Sequence, residues 1–282
     1  MYRLQCFAMG SGTGSNLQYL LENQNRFQIK AAFVDRKCGF QEICVDHKIP
    51  CFFENGAAYC GKNPGRTSSE SREDYCSRSL EFEERILEKL REFEGNTGSR
   101  IELILLAGYF RILRGPLLRA FDGHILNVHP GDLRVLGSDK KRLFTGMNAV
   151  LKAMVCGLEK TASTVHIVNE TIDGGPILKV SDFIPIQLDV RARSFLSEFH
   201  KGRLLKPEEI TRLVLNSWLG EIQKQYPAEF EHLQSLAEAH QQYQKQFCDW
   251  PTYLRTLEEW SLRNPSRNDE SFQLDSLEKG AV

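Results

Sequence analysis

Short apolar runs and amphipathic stretches alternate along this chain of 282 residues. RLQCFAM (3–9), KAAFVD (30–35) and PCFFE (50–54) have the length and apolar content of strands. Helical text separates them, from about Ser15 to Gln24 and again in GFQEICVDHK. Asn55 to Ser71 is rich in Gly, Ser, Asn and Pro and reads as a surface loop. REDYCSRSLEFEERILEKLREFE (72–94) predicts a long helix with Leu80, Ile86, Leu87, Leu90 and Phe93 along its apolar stripe. IELILLAGYF is apolar almost without a break, as a central strand covered on both faces requires. A short helix in RGPLLRAFDG, a strand in HILNVH and a helix in GMNAVLKAMVCGL follow. ASTVHIVN and ILKVSDFIPI then read as two strands joined by a tight turn around DGGP.

This alternation predicts an α/β fold, a doubly wound and mostly parallel sheet with helices on both faces. Ligands of such sheets collect outside the C-terminal strand ends. After about Leu188 the pattern changes, so residues 1–188 form one expected domain and 189–264 a helical C-terminal extension. Residues 207–264 read as helical throughout, with Pro207 and the two glutamates after it as a favourable helix opening. Trp218, Trp250 and Trp260 read as packing residues there, and the polar stretch 265–282 as a flexible tail.

Charge narrows the partners. Lys+Arg number 36 against Asp+Glu 37, a formal net charge of −1, which argues against nucleic acid or an anionic membrane as partner. No apolar run approaches the roughly 20 residues that span a bilayer. The eight cysteines include no C-x-x-C pair and read as reduced thiols of a cytoplasmic protein. Nothing in the pattern fixes an oligomeric state, which leaves room for an oligomer.

Three stretches carry candidate chemistry. In ILNVHP (125–130), Asn127 and His129 share one face of a strand that Pro130 and Gly131 terminate. Two polar side chains at a central strand end are costly unless partnered or set in a cleft, and together an amide and an imidazole can stabilise an oxyanion. FAMGSGTGSNLQ has the order strand, glycine-rich turn, helix, which offers unpaired backbone amides to a phosphate. Asp35 ends the next strand as a dinucleotide site requires, yet Ser15 stands where the third glycine of that fingerprint belongs, and no G-K-[ST] follows. A monophosphate fits the loop better. In ETIDGGPIL, Asp173 either makes a turn with its own backbone or orients His129. His129, His166 and Asp173 lack the spacing typical of a metal site, so no metal is expected.

Taken in order, GTGSNLQ (12–18), SREDY (71–75), LLAGYFRIL (105–113), ILNVHP (125–130), STVHIV (163–168) and DGGPIL (173–178) make the chain resemble the folate-dependent formyltransferase family, its glycinamide ribonucleotide branch above all. The resemblance covers roughly residues 1–186. It implies transfer of a formyl group from 10-formyltetrahydrofolate, without metal, to the amine of a small phosphorylated substrate, glycinamide ribonucleotide of purine biosynthesis first among them. It carries catalytic roles to Asn127, His129 and Asp173, and substrate-phosphate binding to Gly12, Gly14, Ser15 and Asn16. Arg72, Tyr109, Phe110, Arg111, Ile112, Leu113, Asn169 and Thr171 would line the folate cleft. Departures lie in GDLRVLGSDKKRLFTGMN, where the family continues with Ser-Leu-Leu-Pro, in Met147 and Asn148 where a histidine is common, and in the helical extension. Another amine acceptor, hydrolysis of the formyl-folate, a silent phosphate-binding module and a nicotinamide-dependent dehydrogenase stay open at this level.

Overall fold

The computed structural model of the chain describes residues 2–61, 69–203 and 206–263, without the side chains of 69–71. The tail expected at 265–282 lies outside the described residues, as does the part of the 55–71 loop between 62 and 68. The elements run β1 (Leu4–Gly10), α1 (Ser15–Glu22), β2 (Phe27–Val34), α2 (Gly39–Asp46), β3 (Cys51–Phe53), α3 (Gly56–Cys60) and α4 (Ser69–Thr97). Then come β4 (Leu103–Leu106), α5 (Pro116–Ala120), β5 (Ile125–His129), α6 (Ala149–Val155), β6 (Lys160–Thr161), β7 (Thr164–Ile167), β8 (Ile177–Val180) and β9 (Ile184–Pro185). The helices α7 (Val190–Phe199), α8 (Arg212–Gln225), α9 (Pro227–Gln244) and α10 (Trp250–Arg263) complete the described chain.

Seven strands form one sheet in the order β3-β2-β1-β4-β5-β7-β8. From β3 to β5 every neighbour is parallel, while β7 and β8 are antiparallel. The parallel strands therefore bring Gly10, Leu106 and His129 to one edge. All four residues of β4 are buried, as its unbroken apolar text requires.

Several elements differ from the reading of the sequence for identifiable reasons. A helical turn, α3, interrupts the expected 55–71 loop because the Asn55 side chain accepts from the amides of Ala57 and Ala58. On α4, Leu80 is 38% exposed. The buried face is set instead by Tyr75, Ser79, Phe82, Glu83, Ile86 and Leu90. Glu83 can sit inside because its carboxylate accepts from the amides of Arg114 and Gly115, which opens α5. Pro207 begins only a single 3-10 turn (Pro207–Glu209). Helix α8 starts later, where the Thr211 hydroxyl accepts from the Val214 amide. Between α9 and α10 the ladder widens into a π-turn (Lys245–Asp249).

The residues after 188 share cores with those before it. Helix α6 packs with α7, α8 and α9 around Val150, Met154, Leu196, Phe199, Leu215 and Leu233. Helix α10 lies on the main sheet, where Tyr253 and Leu257 join Leu17, Ala32, Leu126 and Val165 in one core. The Tyr253 hydroxyl donates to the carbonyl of Leu126 at 3.0 Å. Leu257 is fully buried, so Leu257→Ala should destabilise the fold by about 2–5 kcal/mol in urea denaturation, and a loss below about 1 kcal/mol would show that α10 is not part of the sheet core.

Candidate active site

Strand β5 presents Leu126 and Val128 to the core beneath α10, so the period of two turns Asn127 and His129 to the opposite face. Its antiparallel neighbour β7 places His166 directly across from Asn127 and Thr164 across from His129. Val165 and Ile167 of β7 join the α10 core, so His166 shares the face of Asn127. The Asn127 Nδ2 lies 3.2 Å from His166 Nε2.

Asp173 reaches this face from the turn after β7. Gly175 is needed there, because a Cβ at that position would stand 1.9 Å from the Ile167 carbonyl oxygen. Asp173 itself adopts a left-handed conformation with φ 50°. Its carboxylate Oδ2 lies 3.5 Å from His129 Nδ1, and Oδ1 lies 3.4 Å from His166 Nε2. The amide of Gly146 donates to Oδ2 at 2.6 Å, and Arg142 Nη1 donates to the Asp173 carbonyl.

Proton placement follows from these partners. His166 Nδ1 faces the Ile167 carbonyl at 2.9 Å and so carries a hydrogen. In the neutral ring Nε2 is then an acceptor, which orients the Asn127 amide with its nitrogen toward His166 and leaves one amide hydrogen for the cleft. A second proton on His166 would instead point at Asp173 and turn that amide over. His129 Nε2 donates to the Phe144 carbonyl at 2.6 Å while Nδ1 faces Asp173, so only the imidazolium satisfies both sides.

Burial opposes that charge. It pushes the His129 pKa down, Asp173 and the Phe144 carbonyl pull it back up in part, and the net direction is downward. Asp173 thus acts in the direction expected of a carboxylate beside an imidazole, but desolvation outweighs it. For Asp173 burial is also the largest influence, upward, yet His166 when its Nε2 carries a proton toward Oδ1, His129 and the Gly146 amide together hold the carboxyl below the ordinary range.

At the head of α1, Gly14 is left-handed with φ 80° and packs against Phe40 and Ile43 of α2, leaving no room for a Cβ. Ser15 and Asn16 form the first turn, and Gly12 lies beside the Phe110 ring. Trp250 Nε1 donates to Asn16 Oδ1 at 3.0 Å and stacks on Tyr19. Because an indole N–H can only donate, this contact fixes the Asn16 oxygen toward Trp250 and turns its amide nitrogen away. The residues expected at the folate cleft divide. Phe110 is 57% exposed and Ile112 half-buried, whereas Tyr109 and Leu113 are buried in the core beneath α4. Arg111 packs over Tyr75 and Phe82. Asn169 and Thr171 are exposed on the turn that carries Asp173, joined by the Thr171 amide and Asn169 Oδ1. Arg72 is exposed near the start of α4. Among the described residues no three His, Cys, Asp or Glu side chains are arranged to hold a metal.

His166, Arg142 and Trp250 were not assigned to the site from sequence. His166 had a signal, since it stands on the same strand face as Thr164, but its register with Asn127 is a matter of strand pairing.

The family model described as formyl transferase matches residues 4–200. The chain belongs to the formyl transferase family. It is 40% identical over 97 residues to phosphoribosylglycinamide formyltransferase of Bacillus subtilis, a match covering 34% of this chain and 43% of that one. Against the trifunctional purine biosynthetic protein adenosine-3 of Gallus gallus it is 31% identical over 183 residues, which is 63% of this chain and 15% of that protein. The matches thus span less than half the length of these curated relatives. Among solved structures, glycinamide ribonucleotide transformylase 1 of Symbiobacterium toebii aligns with a TM-score of 0.51 at 26% identity, over 71% of this chain and 84% of that one. The doubly wound, mostly parallel sheet is thus the fold of that family.

Both titrating groups make stability depend on acidity in the same sense. His129 has a folded-state pKa below its unfolded value, so its contribution is complete above about pH 6.5 and is lost as pH falls through the folded value. The Asp173 contribution is present above the unfolded carboxylate range, near about pH 4, and is lost as pH falls through its lower folded value. Urea midpoints should therefore drop below neutrality and again in strong acid, and Asp173→Asn should flatten the second drop. A midpoint independent of pH would contradict both assignments.

Proposed function

We propose that this chain transfers the formyl group of 10-formyltetrahydrofolate to the amine of glycinamide ribonucleotide, as an enzyme of purine biosynthesis. The observation that carries the reading is the Asp173 carboxylate within 3.5 Å of the His129 ring, beside the Asn127 amide, at the edge where the parallel strands end. The kinship with glycinamide ribonucleotide formyltransferases supports the choice of acceptor.

In this reading the amine attacks the formyl carbon and the carbonyl oxygen becomes an oxyanion. The Asn127 amide hydrogen not used by His166 donates to that oxygen. Protonated His129 offsets the charge through space, because its two ring nitrogens are taken by Phe144 and Asp173. Developing negative charge raises the His129 pKa against burial, so the proton is held most firmly when the oxyanion forms. Asp173, through a water, takes the proton that the amine sheds; the folate N10 gains one as its bond to the formyl carbon breaks, and the transfer is proton-neutral.

The head of α1 would receive the substrate phosphate on the amides of Gly12, Gly14, Ser15 and Asn16, with the Asn16 amide nitrogen as an added donor. The folate would lie along Phe110 and Ile112 toward Asn169 and Thr171, with Tyr109, Arg111 and Leu113 as the wall behind and Arg72 at the outer rim. Eight unpaired cysteines suit a reducing compartment such as the cytoplasm.

The test follows tetrahydrofolate release from 10-formyltetrahydrofolate with and without glycinamide ribonucleotide. Acceptor-dependent release is expected, reduced a hundredfold or more, to order of magnitude, in Asn127→Ala, His129→Ala and Asp173→Asn. Release without acceptor would point to a hydrolase, and undiminished turnover in the three variants would overturn the assignment.

A further inference from the structure

Three consecutive residues, Phe144 to Gly146, fasten both groups that the proposed mechanism needs aligned. The Phe144 carbonyl accepts from His129 Nε2, and the Gly146 amide donates to Asp173 Oδ2, both at 2.6 Å. Thr145 between them is held by two cations. Lys152 of α6 donates Nζ to its carbonyl at 2.6 Å, and Arg212 of α8 donates Nη1 to its hydroxyl at 2.7 Å. We propose that Lys152 and Arg212 are positioning residues for formyl transfer, clamping the 144–146 strap so that the helices after residue 188 set the alignment of His129 with Asp173.

The placement of these cations is not explained by packing. Lys152 is only 7% exposed, and its hydrogen-bond partner among the described residues is a neutral carbonyl, a bond that a glutamine amide could make without desolvating a charge. Arg212 stands in the first turn of α8, where the helix dipole disfavours a cation. Burial, the largest influence, and then Arg212 push the Lys152 pKa down to about 8, while Asp173 pulls it up. The nearby anion is thus the site's own carboxylate.

The loop on which the strap rides is tied to the chain just ahead of α8. The Ser138 amide donates to the Ile210 carbonyl at 2.8 Å. A Cβ on Gly137 would meet that carbonyl oxygen at 2.6 Å. Arg142, farther along the loop, holds the Asp173 carbonyl. Two regions in which the chain departs from the family pattern, the 131–146 loop and the helical extension, therefore meet each other and converge on the strap.

Charge gives a signature that simple bracing would not. The groups acting on His129 are Asp173 from the turn after β7, His166 from β7 and Lys152 from α6. Lys152 lowers the His129 pKa, while Arg142 and Arg212 act on Asp173 and Lys152. Removing the Lys152 charge should let His129 keep its proton to higher pH and move the alkaline fall of kcat upward.

This inference rests on the formyl-transfer reading, and the experiment separates the two. Lys152→Met and Arg212→Met are measured with 10-formyltetrahydrofolate and glycinamide ribonucleotide across pH, singly and combined with Asp173→Asn. Each single variant is expected to lose between about tenfold and a hundredfold in kcat, with KM for both substrates within about threefold. On the Asp173→Asn background neither should cost more, because they act through that residue. Wild-type turnover in Asp173→Asn would sink the reading itself. A slow Asp173→Asn with unimpaired Lys152→Met and Arg212→Met would leave the reading standing and overturn the clamp. Full additivity with Asp173→Asn, or a kcat loss in Lys152→Met with an unmoved alkaline limb, would also overturn it. If Lys152→Met does not fold, Arg212→Met, at the half-buried head of α8, decides through the additivity arm.

Discussion

A carboxylate set between two imidazoles governs this molecule. Asp173 lies 3.5 Å from one ring and 3.4 Å from the other, with its side chain 11% exposed. An anion so placed must be compensated, and the compensation dictates much of the local architecture. It requires a turn that approaches β7 so closely that only glycine fits at 175, a backbone amide from Gly146 on one oxygen, and a left-handed conformation for Asp173 itself. The sheet supplies the rest. Antiparallel pairing of β5 with β7 puts Asn127 opposite His166, so the carboxylate meets a preformed row of amide and imidazole groups.

The strand-and-helix alternation was legible because it is written in local periodicity. β4 is buried on both faces where the text is continuously apolar, and glycine loop, strand end and DGGP turn appear at the sheet edges that their residues demand. Asn127 and His129 could be placed on one face from the period of two alone. What could not be read was pairing at a distance. Glu83 looks like a surface residue of α4, yet it is buried because amides some thirty positions later need an acceptor. Leu80, apolar by type, is displaced outward by the same choice of face. His166 needed the register of β7, and the Thr145 clamp needed the fold of the helices after residue 188.

Those helices do two things at once. Helices α7 to α9 wrap α6, which carries Lys152, and so stiffen the segment beneath the strap. Helix α10 instead lies against the sheet, with Trp250 touching Asn16 at the head of α1 and Tyr253 bonded to the carbonyl of Leu126 in β5. One contact borders the glycine loop, and the other is adjacent to Asn127. The region that reads as an appendage in the sequence is thus bound into the ground on which the candidate site stands.

The burial of Tyr253 and Leu257 against Leu17, Ala32 and Leu126 also bears on biosynthesis. While the polypeptide is being made, the sheet segments emerge long before the helix that seals them, and the apolar surface beneath α10 stays wet until Leu257 has cleared the ribosome. Native closure of that surface is accordingly a late, long-range event, and the nascent sheet depends on whatever shields it in the interval.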